Sequence, residues 1–301
     1  MTIGSHTVIL ALAAILATGC GNGTGKKITL THSIRTMPGK SAKGHARHQA
    51  PNTDSEIQTD EEAGESSPDP GSHDTVRTEA PPGDSIGFYQ KRYELPDIFR
   101  KLVGDRGKGP ESLYGVRNFR AVLNGVVYRG GANNVYHRQP RENHNPLPTD
   151  GLENLCREGF STAIYLYNKN FDGVKTGYDC SSVRGGPNHL TYRQLTAHSR
   201  PKDAAAILKL VHAELSRPTP RPIYMHCWNG WHASGYISAL ILRQFCGVSP
   251  DAAVEYWNKN TDGNFRGRMH DVLRKRIRDF VPDPQLNIDA ALKARVCPKQ
   301  Q

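Results

Sequence analysis

The sequence predicts an α/β fold, with a mixed central sheet flanked by helices and a disordered tether before it. Three features of the 301 residues support this prediction. From about residue 86 onward, short apolar strands alternate with amphipathic helices, as in a sheet covered on its faces by helices. Residues 21–84 are polar and lack apolar periodicity, and residues 8–17 form a short apolar run. We therefore expect a leader at 1–19, a tether at 20–85 and a folded domain at 86–301 with its core at about 115–281.

The apolar run near the N-terminus predicts export. Its ten residues, VILALAAILA, are too few to cross a bilayer of about 30 Å but suit the core of a signal peptide. The run ends at Ala17-Thr18-Gly19-Cys20, which resembles the lipobox of bacterial lipoproteins. This resemblance implies that Cys20 is lipidated and anchors an exported protein to a membrane of the bacterial cell envelope. The alternative is an ordinary signal peptide in which Cys20 is incidental, and it also predicts export.

Charge is distributed unevenly along the chain. The net charge is +10, yet acidic residues outnumber basic ones in the first 85 residues, so the positive excess belongs to residues 86–301. A polar, charged tether cannot bury enough apolar surface to offset its ordering entropy, which predicts disorder there. The basic domain favours an anionic ligand such as a phosphoester. Nucleic acid is not expected, because the sequence has no zinc-finger, RNA-binding or basic-zipper pattern.

Strands and helices alternate along the predicted domain. Apolar runs at 125–129, 162–167, 189–197 and 223–225 predict strands, and helical periodicity predicts helices at 150–158, 204–215, 236–245 and 251–257. Gly247 suits the end of one helix, and Ser249-Pro250 suits the start of the next. The polar stretch 135–148, with His137 and Arg141, predicts a long loop of functional type.

The segment 223–242 carries the strongest chemical signal. It reads as a strand ending at His226-Cys227, a turn containing Gly230, and a helix opening at Ser234-Gly235. Main-chain N–H groups of a tight loop at a helix N-terminus converge on one point, where they favour an anion. A cysteine at the start of such a loop lies in the same field, which favours its thiolate, and Ser234 can donate a hydrogen bond to the sulfur.

These residues resemble the signature H-C-x-x-G-x-x-R-S/T-G of cysteine-dependent protein tyrosine and dual-specificity phosphatases. The segments NFRAV at 118–122, GVVYR at 125–129, GFSTAIYL at 159–166 and GVSPDAA at 247–253 resemble bacterial members of the same superfamily. The resemblance covers about residues 115–260 and implies a phosphatase-like fold without metal or other cofactor. It also implies hydrolysis of a phosphomonoester, on protein phosphotyrosine or a small molecule, through a phosphocysteine at Cys227.

The same resemblance assigns roles around Cys227. It implies that Ser234 hydrogen-bonds the thiolate and that His226 is a structural residue beneath the loop. The phosphate-binding positions would be Trp228, Asn229, Gly230, Trp231, His232, Ala233 and Gly235. Trp228 and Trp231 are also candidates to line the mouth of the site, although single tryptophans more often pack than recognise a ligand.

One position departs from the signature. Ala233 stands where the superfamily has the arginine that binds two phosphoryl oxygens, and a methyl group cannot replace that planar fork. His232 is a partial substitute, and Arg129, Arg266 or Arg268 are candidates to reach in from other segments. The alternative hypothesis is a pseudophosphatase that binds phosphate or acts as a scaffold. A more distant alternative is thiol redox chemistry at Cys227.

The general acid is predicted less directly. In the related phosphatases an aspartate protonates the leaving group, and the corresponding stretch here places His198 near that position. Histidine can act as an acid near neutral pH. Asp179 and Asp203 are the acidic alternatives, and a solvated surface role is open for all three.

Cysteine number predicts two disulfides. Six cysteines, less a lipidated Cys20 and a nucleophilic Cys227, leave an even set in an exported protein. The set is Cys156, Cys180, Cys246 and Cys297. The short return from the helix before one core strand to the loop after it favours Cys156–Cys180, which leaves Cys246–Cys297 to hold the C-terminal tail. The alternative is four buried, unpaired thiols.

Overall fold

A computed structural model describes residues 83–133 and 146–299, and it contains one six-stranded mixed sheet. The strands are β1 (Val116–Leu123), β2 (Val127–Ala132), β3 (Thr162–Tyr165), β4 (Gly177–Ser181), β5 (Pro187–Gln194) and β6 (Ile223–Cys227). Their order is β1-β2-β6-β3-β5-β4. The four inner strands are parallel and both edge strands are antiparallel to their neighbours. The predicted mixed sheet is confirmed.

Helices cover both faces of this sheet. They are α1 (Ser85–Tyr93), α2 (Thr149–Arg157), α3 (Pro201–Leu215), α4 (His232–Cys246), α5 (Pro250–Lys259), α6 (Arg268–Asp279) and α7 (Ala290–Val296). Apolar side chains of α3 to α7 share one core cluster with the sheet, and aromatic and aliphatic side chains of α1 and α2 share the other. Strand β6 lies between β2 and β3 and is buried along its whole length. The carboxyl end of β6 therefore lies in the middle of the sheet, at the carboxyl ends of the parallel strands, where α/β sheets bind ligands.

The eight predicted elements are present with shifted ends. Strand β2 is shifted towards the C-terminus, because it starts at Val127 and continues through Gly130 and Gly131. A Cβ on Gly130 would lie 2.3 Å from the Tyr224 hydroxyl, and one on Gly131 would lie 2.4 Å from the carbonyl oxygen of Trp228. Glycine is thus required here by close approach within the sheet and to the loop after β6, although it argues against a strand by propensity.

Several elements of the structure were not predicted from the sequence. They are β4 and the helices α1, α6 and α7, together with β1 as a strand. Helix α6 buries only Leu273 and Ile277, and most of its other residues are charged, so its apolar content is low. Cys180 lies in β4 rather than in a polar loop, because this segment pairs with β5 from Gly177–Thr191 to Ser181–Pro187. Only Tyr178 of β4 is buried, so the segment lacks the apolar run that predicts a strand.

Two disulfides are present, Cys156–Cys180 and Cys246–Cys297, and Cys227 is free. This pairing is the predicted one. The first bond joins α2 to the edge strand β4, and the second joins the end of α4 to the residue that follows α7. Asn124 donates its main-chain N–H to the Val296 carbonyl at 2.8 Å, so the C-terminal helix is held from two sides.

Replacing both Cys246 and Cys297 by alanine is expected to lower the free energy of unfolding by about 4 kcal/mol, because the bond closes a long loop in the unfolded chain. The two cysteines are 51 residues apart. Urea unfolding of the full chain measures the loss. An unfolding midpoint equal to that of the parent would contradict a stabilising role for this bond.

The leader, Cys20, residues 21–82 of the predicted tether and most of the predicted loop at 135–148 lie outside the described residues, and α1 starts at Ser85, the last residue of that predicted tether. Within residues 83–133 and 146–299, no helix is both long enough and apolar enough to cross a membrane.

Candidate active site

The loop after β6 is shaped by close packing against β2. Cys227 is the last residue of β6, residues 228–231 form the loop, and α4 starts at His232. Gly230 has φ +76°, and a Cβ at this position would lie 2.6 Å from the carbonyl carbon of Gly130. Only glycine fits such a position, because it has neither the steric penalty at positive φ nor a Cβ to collide. The strand, loop and helix predicted from the sequence are therefore present.

Four successive carbonyl groups of the loop are bound from behind. The Ala132 N–H donates to the Trp228 carbonyl at 3.0 Å, and the Asn118 side-chain amide donates to the Asn229 carbonyl at 2.7 Å. The Arg129 guanidinium donates to the next two carbonyls, those of Gly230 and Trp231. These donors lie near the start of β1 and in β2.

These contacts decide where the N–H groups of the loop point. No peptide bond is cis in the described residues, so each N–H points away from the carbonyl of the residue before it. Since the carbonyls of 228–231 face β1 and β2, the N–H groups of 229–232 face the opposite side. In the described part of the chain, none of the main-chain N–H groups from 228 to 234 donates to a protein acceptor. The loop therefore offers a set of free donors at the N-terminus of α4, which suits an oxyanion.

The sulfur of Cys227 lies at the base of this set. Its side chain is buried, and its Sγ lies 3.6 Å from the Ser234 Oγ. Arg129 donates to the same hydroxyl oxygen at 3.2 Å. Because guanidinium has no acceptor, the Ser234 oxygen accepts from Arg129 and its hydrogen is left to donate to the sulfur. A chain of hydrogen bonds therefore runs from Arg129 through Ser234 to the Cys227 sulfur.

Arg129 is the one of the three candidate arginines that contacts the loop. Its side chain is fully buried, and no carboxylate forms an ion pair with it among the described residues. It lies behind the loop carbonyls, so it adds positive charge and rigidity but does not stand in the place of the missing fork. Arg266, which lies before α6, and Arg268, the first residue of α6, are both exposed.

His226 is a structural residue beneath the loop. The Tyr192 hydroxyl oxygen lies 2.8 Å from His226 Nε2, and His226 Nδ1 lies 3.2 Å from the Cys227 carbonyl oxygen. A carbonyl can only accept, so Nδ1 carries the ring proton and the Tyr192 hydroxyl donates to Nε2, while the Leu147 N–H donates to the Tyr192 oxygen at 3.1 Å. Burial lowers the pKa of His226 to about 3, against a smaller upward effect of the hydrogen bond to Cys227. The imidazole is therefore neutral at physiological pH.

His226 is expected to show no titration between pH 5 and pH 8 in NMR spectra of its imidazole. Its pKa is lowered on folding, so between about pH 3 and pH 6.5 the unfolded chain binds a proton that the folded chain does not. Stability from this group is thus complete above pH 6.5 and falls by about 1.4 kcal/mol per pH unit as the pH drops through that window. A ring that titrates near 6.5 would contradict this arrangement.

The side chains of Trp231 and His232 point away from the loop donors. Trp231 Nε1 donates to Asp262 at 2.9 Å, and His232 Nε2 bonds the Asn264 carbonyl while its ring stacks on His270 at 4.4 Å. The His232 side chain is therefore engaged with the segment after α5 and does not substitute for the fork. Trp228 is different, because its ring is 38% exposed beside Cys227 and remains a candidate to border the mouth.

The three candidate acids differ in place. Asp203 accepts from the N–H and the hydroxyl of Thr196, which fixes the turn before α3, and Asp179 pairs with His189 at 2.7 Å on the edge strand β4. His198 is connected to the strand that carries Cys227. It hydrogen-bonds the backbone of Leu166, whose N–H donates to the His226 carbonyl. Burial and, to a smaller extent, the charge of Arg276 lower the pKa of His198, against the upward effect of that bond. At neutral pH its imidazole is therefore mainly uncharged and suited to accept a proton rather than to donate one.

Sequence reasoning missed the groups that support the loop from behind. Asn118 appears within the segment that resembles bacterial phosphatases, but its role was not predicted, and neither was that of Arg117, which donates to the Asn229 side chain. Asn118 has φ +51°, a conformation that asparagine tolerates better than most residues. The apolar pattern of β1 does not reveal this backbone conformation, so the sequence alone could not assign the role of Asn118.

Comparison with known proteins finds only distant structural similarities. No protein-family model and no curated protein matches the chain. Among solved structures it is similar to the core catalytic domain of the PP-IP phosphatase Siw14 from S. cerevisiae, with 14% identity, a TM-score of 0.35, and coverage of 56% of this chain and 88% of that one. It is also similar to the protein tyrosine phosphatase TbPTP1 of Trypanosoma brucei, with 10% identity, a TM-score of 0.37, and coverage of 67% and 86%. These likenesses are too distant to carry an inference about activity.

Proposed function

We propose that the protein hydrolyses a phosphomonoester through a phosphocysteine at Cys227. The observation that carries this proposal is a buried cysteine sulfur followed by the main-chain N–H groups of residues 228–234, none of which donates to an acceptor in the described part of the chain. A binding module for phosphate needs the donors, but it has no need of the sulfur or of the hydroxyl 3.6 Å from it.

In the proposed reaction the Cys227 thiolate attacks phosphorus and forms a sulfur–phosphorus bond. The ester bond breaks, and the leaving oxygen takes a proton from water or from a nearby acid. Water then attacks phosphorus, the sulfur–phosphorus bond breaks, the thiolate is restored and inorganic phosphate leaves. Loop N–H groups bind the phosphoryl oxygens throughout, while Ser234 stabilises the thiolate as a leaving group.

Positive charge in this site comes from behind the loop. Arg129 is buried and unpaired by any carboxylate in the described residues, and Arg120 of β1 lies buried next to it with a pKa lowered to about 10, mainly by burial and then by the charge of Arg129. A bound phosphate dianion offsets this buried charge. The interaction is weaker than direct bidentate binding, so we expect slow turnover compared with an enzyme that has the fork.

The alternative function is phosphate binding without useful turnover. Ala233 favours it, because the first turn of α4 offers no guanidinium at the position that would contact two phosphoryl oxygens. Purified full chain incubated with a small aryl phosphate separates the two functions. Release of the aryl alcohol that continues beyond one equivalent supports the enzyme, whereas saturable phosphate binding with no release supports the binding module.

We also propose that the protein works in the cell envelope, anchored to a membrane by a lipid on Cys20. The two disulfides support an oxidising compartment, where such bonds persist. Replacement of Cys20 by serine is expected to move the chain from the membrane fraction to the soluble fraction of the envelope. Unchanged membrane association would contradict the lipid anchor.

A further inference from the structure

A cavity of about 490 Å³ lies at the end of the sheet opposite Cys227. Its walls come from the turn before β3, the hairpin between β4 and β5, and the segment between α3 and β6. These segments precede strands that run parallel, so the cavity is at their amino ends. Cys227 lies at the carboxyl end of β6, and the cavity is therefore separate from the candidate active site.

Among the residues that the structure describes, three arginines line this cavity and no acidic residue does. They are Arg184 in the hairpin and Arg217 and Arg221 before β6. Two carboxylates lie nearby. Glu214 is 3.5 Å from Arg217 Nε and accepts the main-chain N–H of Arg221, and Glu158 is held by Arg92 and Tyr93. The lining therefore keeps an excess of positive charge.

The cavity also has hydrogen-bond donors without partners. The Tyr89 hydroxyl, at the wall of the cavity, is buried and has no hydrogen-bond partner among the described residues. The Nε of Arg221 is also buried and also lacks a partner there. The other end of the Arg221 guanidinium is fixed, because Nη1 donates to the Asn188 side chain at 3.0 Å. Arg184 is held over the Phe88 ring at 5.6 Å. Buried donors are nearly always satisfied in folded proteins, so these point to a ligand with acceptor oxygens.

We propose that this cavity binds a small, multiply charged anion through its phosphate groups. Guanidinium groups match phosphate in geometry and charge, and three of them around one cavity suit a ligand with more than one negative charge. The volume is in the range of sites for small molecules rather than of flat protein interfaces. This site does not depend on the reaction proposed for Cys227.

Hydrogen exchange of the full chain, titrated with inorganic pyrophosphate, tests this proposal. We expect protection of peptides covering 182–188 and 217–221, which are distinct from peptides of the loop at 228–235. The double variant Arg184→Gln with Arg217→Gln is expected to weaken binding at this site by about tenfold or more, because two charge-assisted contacts are lost. Both side chains are partly exposed, so the fold is expected to tolerate their replacement.

A second double variant controls for net charge. Arg157→Gln with Arg278→Gln removes the same charge from exposed positions that do not line the cavity, and it is expected to leave the affinity within about twofold of the parent, because screened surface charges contribute little. Equal weakening by both double variants, or no protection of the two cavity peptides, would overturn the proposal. Protection of these peptides without protection of 228–235 would support this site and count against the function proposed for the loop.

Discussion

Replacing Cys227 by serine is expected to reduce kcat/KM for a small aryl phosphate by about 10⁴-fold or more. The serine hydroxyl keeps the size of the side chain but is a far weaker nucleophile than the thiolate that the loop favours. Loss of an enzyme nucleophile typically costs several orders of magnitude, because the remaining groups cannot form the covalent intermediate. Initial rates on the purified full chain measure the effect.

Phosphate binding serves as the control for this variant. The loop N–H groups are main-chain groups that the substitution does not remove, so inorganic phosphate is expected to bind the serine variant and the parent to a similar extent. The variant Ser238→Ala is a matched control on α4, since its hydroxyl donates to the Ser234 carbonyl and does not contact the sulfur. It is expected to keep most of the activity. Full activity in Cys227→Ser would show that another nucleophile, or another enzyme in the preparation, is responsible.

Replacing Ala233 by arginine is expected to raise kcat/KM by about tenfold or more. A bidentate guanidinium on the phosphoryl oxygens stabilises the charge of the transition state by about 2 kcal/mol or more in a closed site. Position 233 lies in the first turn of α4, six residues after the nucleophile, as the signature requires. Steady-state kinetics on the aryl phosphate measure the gain.

The variant Ala233→Lys separates charge from geometry. Lysine adds the same charge without the planar fork, so a smaller gain is expected from it than from arginine. Ala233 is buried, with only 3% of its surface exposed, and the longer side chain must extend towards the loop opening to be accommodated. No gain from arginine in a variant that folds normally would show that the loop has adapted to another ligand, and would favour the binding function.

The strand, loop and helix around Cys227 could be predicted from the sequence because they are contiguous. An apolar strand, a glycine and a small-residue helix start occur within about a dozen residues, so local pattern carries the prediction. The supports of the loop could not be predicted in this way. Asn118 and Arg129 come from β1 and β2, about 100 residues earlier in the chain, and only the pairing of β2 with β6 brings them to the loop.

The unpredicted elements have a similar physical cause. Strand β4 is held by pairing at the edge of the sheet and by the bond to Cys156, while only Tyr178 of its own residues is buried. Helix α6 buries two residues and is otherwise charged. These segments have few buried residues of their own, and contact with distant parts of the chain decides their structure.

Rapid acid quenching followed by mass spectrometry tests the phosphocysteine most directly. The full chain is mixed with an aryl phosphate, quenched within the first turnover and digested. We expect the peptide containing Cys227 to carry the added mass of one phosphoryl group, and we expect the Cys227→Ser variant to lack it. Product release by the parent chain with no phosphoryl group on this peptide, at any quench time, would contradict the account.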